Sequence, residues 1–439
     1  MEQRAWVISV NMGYGHQRTA FPLRNLSPKG EIINANDYRG IPKQDRVIWE
    51  ATRRSYEFVS KIKRIPIIGE FIFFIFDRFQ KILQFYPKRD LSKPNSQLKQ
   101  TFSLIKKGWG KDLIEALWRR SGPKTLPLIS TFFTPAFMAE YFEYPGEVFC
   151  VVCDADISRT WASFSPHKSK IKYFVPTSWV VSRLKLYGVK EENIFFTGYP
   201  LPQENIGYSS YRRVPEMEIL KHDLENRILN LDPQKKYCQQ YKVLIDKYFG
   251  YLAKKSDHPL TIMFAVGGAG AQKEIGIKII KSLIKKIKAR KVKVILVAGI
   301  REKVKEYFEE NIKKLRLGKN KNIEILFGQD IEEYFKKFNL ALRKTDILWT
   351  KPSELSFYTA LGLPIIIAPP IGSQEEFNKK WLLRLGSGIP QENPNYTAQW
   401  LFDFLESGRF AEAAMQGFIE AEKLGTFKIK EIISRCSGW

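Results

Sequence analysis

The run Ala5-Trp6-Val7-Ile8-Ser9-Val10 leads straight into Asn11-Met12-Gly13-Tyr14-Gly15-His16-Gln17, a strand-like apolar stretch that ends in a turn punctuated by glycine. The second half repeats the device: an apolar run at 261–266 leads into Gly267-Gly268-Ala269-Gly270-Ala271-Gln272. After that turn, Ile275, Ile279, Leu283 and Ile287 recur every fourth residue among lysines, the pattern of a helix with one apolar face. A strand, a glycine turn and an amphipathic helix in that order form the opening of a parallel α/β sheet.

Working outward from the first turn, further strand-like runs occupy 31–34, 126–130, 147–153, 172–175 and 193–197. From the second turn they occupy 292–297, 322–327, 346–350 and 364–368. Two α/β domains are therefore expected: residues 1–204, with a helix-rich insertion at about 44–120, and residues 259–405. A charged helical connector is expected at 205–258. Closing helices at 406–439 are expected to be able to return to the first domain. A chain of 439 residues is too long for one ordinary core and suits this division.

A formal net charge of +25 calls for anionic surroundings. No Arg-rich tail or zinc-finger spacing gathers that charge, which ranks nucleic acid below phosphorylated ligands and an anionic membrane surface. Four cysteines are too few for a disulfide framework, and the pair Cys150 and Cys153 lies in an apolar run where both read as buried structural thiols. No constellation of histidine and cysteine suggests zinc, so no metal site is expected. The first residues enter a strand directly, without the regions of an export signal, and a cytoplasmic location is expected. The most apolar stretch, 66–76, is interrupted by Glu70 and is too short to span a bilayer.

Neither glycine turn is followed by Lys-Ser or Lys-Thr, and neither has the G-x-G-x-x-G spacing, which removes Walker-type sites and demotes hydride transfer. Gly13, Tyr14 and Gly15 form a loop suited to an anion, and His16 adds a titratable group at the sheet edge where open α/β proteins bind ligands. Most distinctive is Thr350-Lys351-Pro352-Ser353-Glu354-Leu355-Ser356, then Leu361-Gly362-Leu363-Pro364, then Pro370-Ile371-Gly372-Ser373-Gln374-Glu375-Glu376-Phe377-Asn378.

These segments resemble the donor-binding region of the diacylglycerol glycosyltransferase, or monogalactosyldiacylglycerol synthase, family, which is related to the lipid-linked N-acetylglucosaminyltransferase of cell-wall synthesis. Gly13, Gly15 and His16 match the family's early loop, Asp154 its strand-terminal aspartate, and Thr197, Gly198 and Pro200 the segment closing its first domain. The resemblance implies a GT-B fold, two Rossmann-like domains facing across a cleft. It implies a metal-independent, inverting transfer from a uridine-diphosphate sugar, held as co-substrate by the second domain, to a membrane lipid such as diacylglycerol or a polyisoprenoid. No other cofactor is expected. Donor contacts are expected from Gly267, Gly268, Gly270, Ala271, Gln272, Phe327, Lys351, Ser353, Glu354, Ser356, Gly372, Gln374, Glu375 and Asn378. The general base is expected among Asp154, His16 and, third, Asp156.

Two departures stand out. Pro352-Ser353-Glu354 replaces the expected glycines, and Phe357 stands where a ribose-binding carboxylate is expected, with Glu354 as a substitute. Ser158 and Arg159 stand where the family commonly has a histidine. Residues 51–120 carry sixteen Lys or Arg against six Asp or Glu, interleaved with aromatics, a mix suited to the headgroup level of an anionic bilayer. Phe71, Phe73, Phe74 and Phe76 are the expected membrane face, on the inner side of the cell membrane. The competing readings are a membrane-bound nucleotide scaffold that has lost turnover and a soluble sugar-nucleotide epimerase.

Overall fold

The computed structural model describes residues 4–62, 82–122, 124–208, 216–265, 270 and 272–436. Each of the two units it contains is built on a six-stranded sheet. The first unit comprises residues 1–201, 371–378 and 424–439, and the second comprises 202–370 and 379–423.

In the first unit the strands are β1 (Trp6–Ser9), β2 (Ile32–Asn34), β3 (Leu128–Ser130), β4 (Val148–Val151), β5 (Lys172–Val175) and β6 (Ile194–Phe196), in the order β2-β1-β3-β4-β5-β6. In the second they are β7 (Leu260–Ala265), β8 (Val292–Gly299), β9 (Ile323–Phe327), β10 (Ile347–Thr350), β11 (Ile365–Ile367) and β12 (Gly388–Pro390), in the order β12-β11-β10-β7-β8-β9. Every pairing is parallel. Burial on both faces explains the unbroken apolar sequences: all six residues of β7 and all four of β4 are buried. Both units are Rossmann-like, and eleven strands fall where the sequence places them. Strand β12 was not expected, because its single strand-favouring residue, Ile389, stands between Gly388 and Pro390, both residue types depleted in strands. Gly388 serves it for a steric reason, since a Cβ there would lie 2.7 Å from Ile367 and Leu382 side-chain atoms.

Strand order reverses between β1 and β3 in one sheet and between β7 and β10 in the other. These are the points where open parallel sheets leave a crevice at the carboxyl ends of their strands. Strands β1 and β7 end there, and each is followed in the sequence by one of the glycine-rich segments.

The insertion between β2 and β3 contains helices Lys43–Ile62, Ser96–Lys106 and Lys111–Arg120. Part of its aromatic content is core: Trp49 meets Trp109 at 4.7 Å, and Phe85 meets Trp179 at 4.2 Å. Trp118 and Tyr86 are exposed. Phe71, Phe73, Phe74 and Phe76 lie outside the described residues. Among those described, no helix is long and apolar enough to cross a membrane.

The segment expected as a connector is instead built into the second unit. Helix Glu218–Leu231 buries Arg227, whose guanidinium donates to the carbonyls of Leu342, Thr345 and Leu361. Gly362, in a left-handed conformation, lies so close to this helix that a Cβ would meet Leu224 at 2.3 Å. Helix Gly425–Cys436 counts with the first unit, where Ile429 and Ile433 join Ala5, Val7, Phe149 and Phe174 in the core. Cys150 and Cys153 are buried free thiols, and burial pushes the Cys150 thiol well above its ordinary range.

Candidate functional site

At the reversal point of the first sheet, Gly13 adopts a φ of 112°, open to glycine, and helix Tyr14–Ala20 starts directly after it. The helix presents His16 to the loop after β3. Nδ1 of His16 donates to the carbonyl of Thr131 at 2.8 Å, and the Thr131 hydroxyl donates back to the His16 carbonyl at 3.0 Å. A hydrogen held on Nδ1 by a carbonyl puts the imidazole lone pair on Nε2, the state a general base requires. Phe132 edges against the ring at 4.8 Å, and the Cys153 sulfur lies 3.5 Å from Nδ1. Thr131 is 115 residues from His16, so no spacing rule announced it.

Beyond β4 the chain runs Cys153-Asp154-Ala155-Asp156. Asp154 is half-buried and accepts from Nδ2 of Asn378 at 3.1 Å, while Oδ1 of Asn378 accepts from the Ala155 amide at 2.8 Å. Asn378 is fully buried, so one amide group holds both the carboxylate and the backbone beside it. Expected as a donor contact, Asn378 acts here as the group that orients Asp154.

Asp156 is a different case, and its candidacy as a base is corrected. It is 2% exposed and accepts two bonds from Arg183, at 2.8 and 2.7 Å, with a third from Trp179 Nε1 at 2.8 Å and a fourth from the Ile157 amide at 2.9 Å. A bidentate pair with both oxygens occupied has no acceptor capacity left for a substrate proton. Arg159, in the place of the family's histidine, is also structural. It donates to the carbonyls of Ser92, Ala162 and Ser163, and burial lowers its pKa to about 10.

At the reversal point of the second sheet, the Thr350 hydroxyl donates to the Ala265 carbonyl at 3.3 Å, linking the ends of β10 and β7. Gly267, Gly268 and Ala271 lie outside the described residues. Gly270 has a φ of 70°, and a Cβ there would meet Val304 at 2.9 Å. Gln272 follows with a φ of 65°, uncommon for a residue with a Cβ, and its amide donates to the Pro369 carbonyl at 2.8 Å. Helix Lys273–Lys288 begins beyond it.

Lys351, Ser353 and Glu354 are half-buried at the end of β10. Ser356 is not accessible: it is fully buried inside the short helix Glu354–Leu361, which corrects its expected place among donor contacts. Phe357 packs at 4.9 Å on Trp381 in the core. Phe327 ends the edge strand β9, two strands from β7, and lines a 640 Å³ groove with Ile295, Leu340 and Lys337.

The segment 371–378 belongs to the first unit. Glu375 accepts from the Ile371 amide at 2.6 Å, a bond that fixes the turn entering helix Ser373–Leu385. Gly372 leaves room for the Gln374 side chain, which would lie 3.2 Å from a Cβ there.

Residues 251–324 and 302–430 match the profile of a family described as a domain of unknown function, DUF6938. The processive diacylglycerol beta-glucosyltransferase of Bacillus licheniformis is 23% identical over 390 residues, covering 87% of this chain and 82% of that protein. Among solved structures, MurG of Acinetobacter baumannii aligns with a TM-score of 0.44 at 12% identity, over 84% of this chain and 89% of that one. The UDP-GlcNAc 2-epimerase of Neisseria meningitidis, bound to UDP-GlcNAc, aligns with a TM-score of 0.42 at 15% identity, over 78% and 83%. The chain resembles the diacylglycerol glycosyltransferases.

Proposed function

We propose that this protein is a glycosyltransferase that moves a sugar from a uridine-diphosphate sugar to a hydroxyl of a membrane lipid, with inversion and without a metal. One observation carries the reading: two proton acceptors are each pre-oriented at the carboxyl edge of one sheet, His16 after β1 by Thr131 and Asp154 after β4 by Asn378, with β3 between those two strands. The likeness to the Bacillus licheniformis enzyme over most of both chains supports the choice of reaction.

In this reading Nε2 of His16 or a carboxylate oxygen of Asp154 takes the acceptor hydroxyl's proton. The acceptor oxygen forms its bond to the anomeric carbon as the bond to the diphosphate breaks, and the nucleotide leaves with the electron pair. Charge on the leaving group is offset by Lys351 and by the amino-terminal end of helix Lys273–Lys288. Glu354 grips the ribose in place of the carboxylate that Phe357 displaces. The basic insertion holds the enzyme on the inner face of an anionic membrane, each nearby cation contributing about 1 kcal/mol.

The test is a donor screen: purified protein, a panel of uridine-diphosphate sugars and membrane lipid extract, with products read by mass spectrometry. A glycolipid appearing with one donor is the expected result; absence of product with every donor defeats the proposal. Tight binding of uridine diphosphate without turnover would favour a nucleotide scaffold, a reading that the buried Ser356 and Phe357 support.

A further inference from the structure

The sheet of the second unit ends on β9, and that edge is open. Among the described residues, β2, β6 and β12 are edge strands of three residues each, whereas the edge strand β9 has five, Ile323–Phe327. Natural edges are blunted by brevity, proline or lysine, and β9 carries no proline and no lysine. Its one charge, Glu324, is spent on Lys293 of β8 at 2.7 Å.

The Val294 amide donates to the Asn322 carbonyl and the Gly328 amide to the Gly299 carbonyl, so even-numbered residues of this stretch turn their peptide groups toward β8. Ile323, Ile325 and Phe327 therefore turn theirs outward. The Ile323 amide donates to the Asn320 carbonyl, and the Phe327 carbonyl accepts from Lys337 Nζ at 3.0 Å. Among the described residues, the amide and carbonyl of Ile325 have no partner.

Alongside this edge runs the 640 Å³ groove. Its near wall is the strand itself, Glu324 to Phe327, and its far wall is helix Ile331–Leu342, which offers Lys337, Leu340 and Ala341 three and four residues apart on one face. Ile295 and Leu326 form a buried floor, while Leu340 is 71% exposed. Open peptide groups beside an apolar slot suit an extended segment that adds a strand: its backbone pairs with the edge and every second side chain enters the slot. The groove reaches Lys293, Arg343 and Lys344 near the amino ends of β8 and β10, away from Lys351 at the carboxyl end of β10.

Charge decides the kind of partner. Of the carboxylates on the rim, Glu324 is held by Lys293, Asp223 by Arg343 at 3.2 Å and Asp257 by His258 at 2.5 Å. Lys344 is exposed, and the turn leading into β9 adds exposed Arg316, Lys319 and Lys321. A second copy of a chain with a net charge of +25 is repelled overall, whereas a segment bearing carboxylates is drawn to this end of the groove.

We propose that β9 and its groove are a docking site for an extended segment of a different protein, one in which large apolar residues alternate with acidic ones.

Binding is tested on the full chain by calorimetry and hydrogen exchange. The probes are short capped peptides of alternating leucine and glutamate, a leucine-lysine counterpart, and two leucine-glutamate versions N-methylated at the leucines only or at the glutamates only. Saturable binding of the leucine-glutamate peptide is expected, with slower exchange in the segment carrying β9 and about tenfold weaker binding in Leu340→Lys and in Lys344→Glu. Alternate residues of an added strand turn their amides to opposite sides, so one methylated version is expected to bind and the other to fail. Equal affinity of the two methylated versions, absence of binding, or binding indifferent to Leu340→Lys overturns the proposal. Equal binding of the leucine-lysine peptide overturns it too, because the acidic preference is then gone. Self-association of the chain that Leu340→Lys abolishes would give the groove to a second copy, and adsorption to phosphatidylglycerol vesicles that it abolishes would give the groove to a membrane; either result defeats the proposal. Both substituted side chains are exposed, and thermal melts verify that the variants fold.

Discussion

Asn378 is the residue where two distant stretches of sequence become one site, and it gives the sharpest way to tell which group is the base. An aspartate in its place would set a second carboxylate about one hydrogen bond from Asp154, and a like charge at that range raises a carboxyl pKa. If Asp154 must be ionised to accept the proton, Asn378→Asp moves the acidic limb of the kcat/KM profile to higher pH. If His16 is the base, the limb stays where it is, and Asn378→Asp changes rate without changing the profile. A general base contributes about 10²- to 10⁴-fold, so His16→Ala or Asp154→Asn is expected to cost that factor in kcat for whichever residue holds the role. Uridine diphosphate binding by calorimetry is expected to be unchanged in both. The sequence marked His16 and Asp154 because each follows a strand; it could not mark Thr131 or the orienting role of Asn378, since both depend on chain segments more than a hundred residues away.

Elements explain why the third candidate fails. Asp156 follows a strand as Asp154 does, but helix Ser178–Leu186 brings Arg183 and Trp179 onto it, and the pair is sealed from water. Removing one partner of such a pair leaves a buried charge, so Arg183→Ala is expected to lower stability by about 3–5 kcal/mol in a urea melt. A double change, Asp156→Leu with Arg183→Met, is expected to recover much of that loss and to retain transfer activity, which a base at Asp156 forbids.

A second charge cluster, buried at Asp346 and open to solvent at Asp257, ties the start of β10 to the loop before β7. His258 lies between Asp257, at 2.5 Å from Nδ1, and Asp346, at 3.2 Å from Nε2, with Ser256 at 3.5 Å and Arg227 and Lys344 in the surrounding field. Burial acts to lower the imidazole pKa, but the bonds to Asp346 and Asp257 outweigh it and hold the pKa above its ordinary value. Burial also raises the Asp346 carboxyl. A raised histidine stabilises the fold fully below its unfolded-state pKa and loses that contribution as pH rises through the folded value. Asp346 pushes in the same direction; Asp257, held low chiefly by its bond to His258, contributes above its unfolded pKa and loses its share only in acid. Thermal melts are therefore expected to show the second unit weakening from near neutrality upward, and His258→Gln is expected to flatten that slope.

At the scale of the whole molecule, the sheets were legible because parallel strands buried on both faces read as continuous apolar runs, and the glycine turns marked where each sheet begins. Unit boundaries were less legible, because they depend on where helices pack. The helix Glu218–Leu231 reads as charged and connective until Arg227 is seen capping three carbonyls inside the second unit. The helix Gly425–Cys436 carries Ile429 and Ile433 four residues apart, a pattern that guarantees an apolar stripe but names no partner. Its partner is the core of the first unit, although most of the residues just before it belong to the second. Two separate cores make a single all-or-none unfolding step a poor description of this chain. Ile433→Ala removes fully buried atoms from the first core and is expected to cost about 2–5 kcal/mol there. Leu283→Ala is the matching change in the second core, on helix Lys273–Lys288. Hydrogen exchange read by mass spectrometry separates the two: Ile433→Ala is expected to speed exchange in peptides carrying β1, β3 and β4 and to leave those carrying β7, β8 and β10 unchanged, with Leu283→Ala giving the reverse. Equal acceleration in both sets would mean that the two cores melt as one, and the description of the chain as two independently stabilised units would have to be given up.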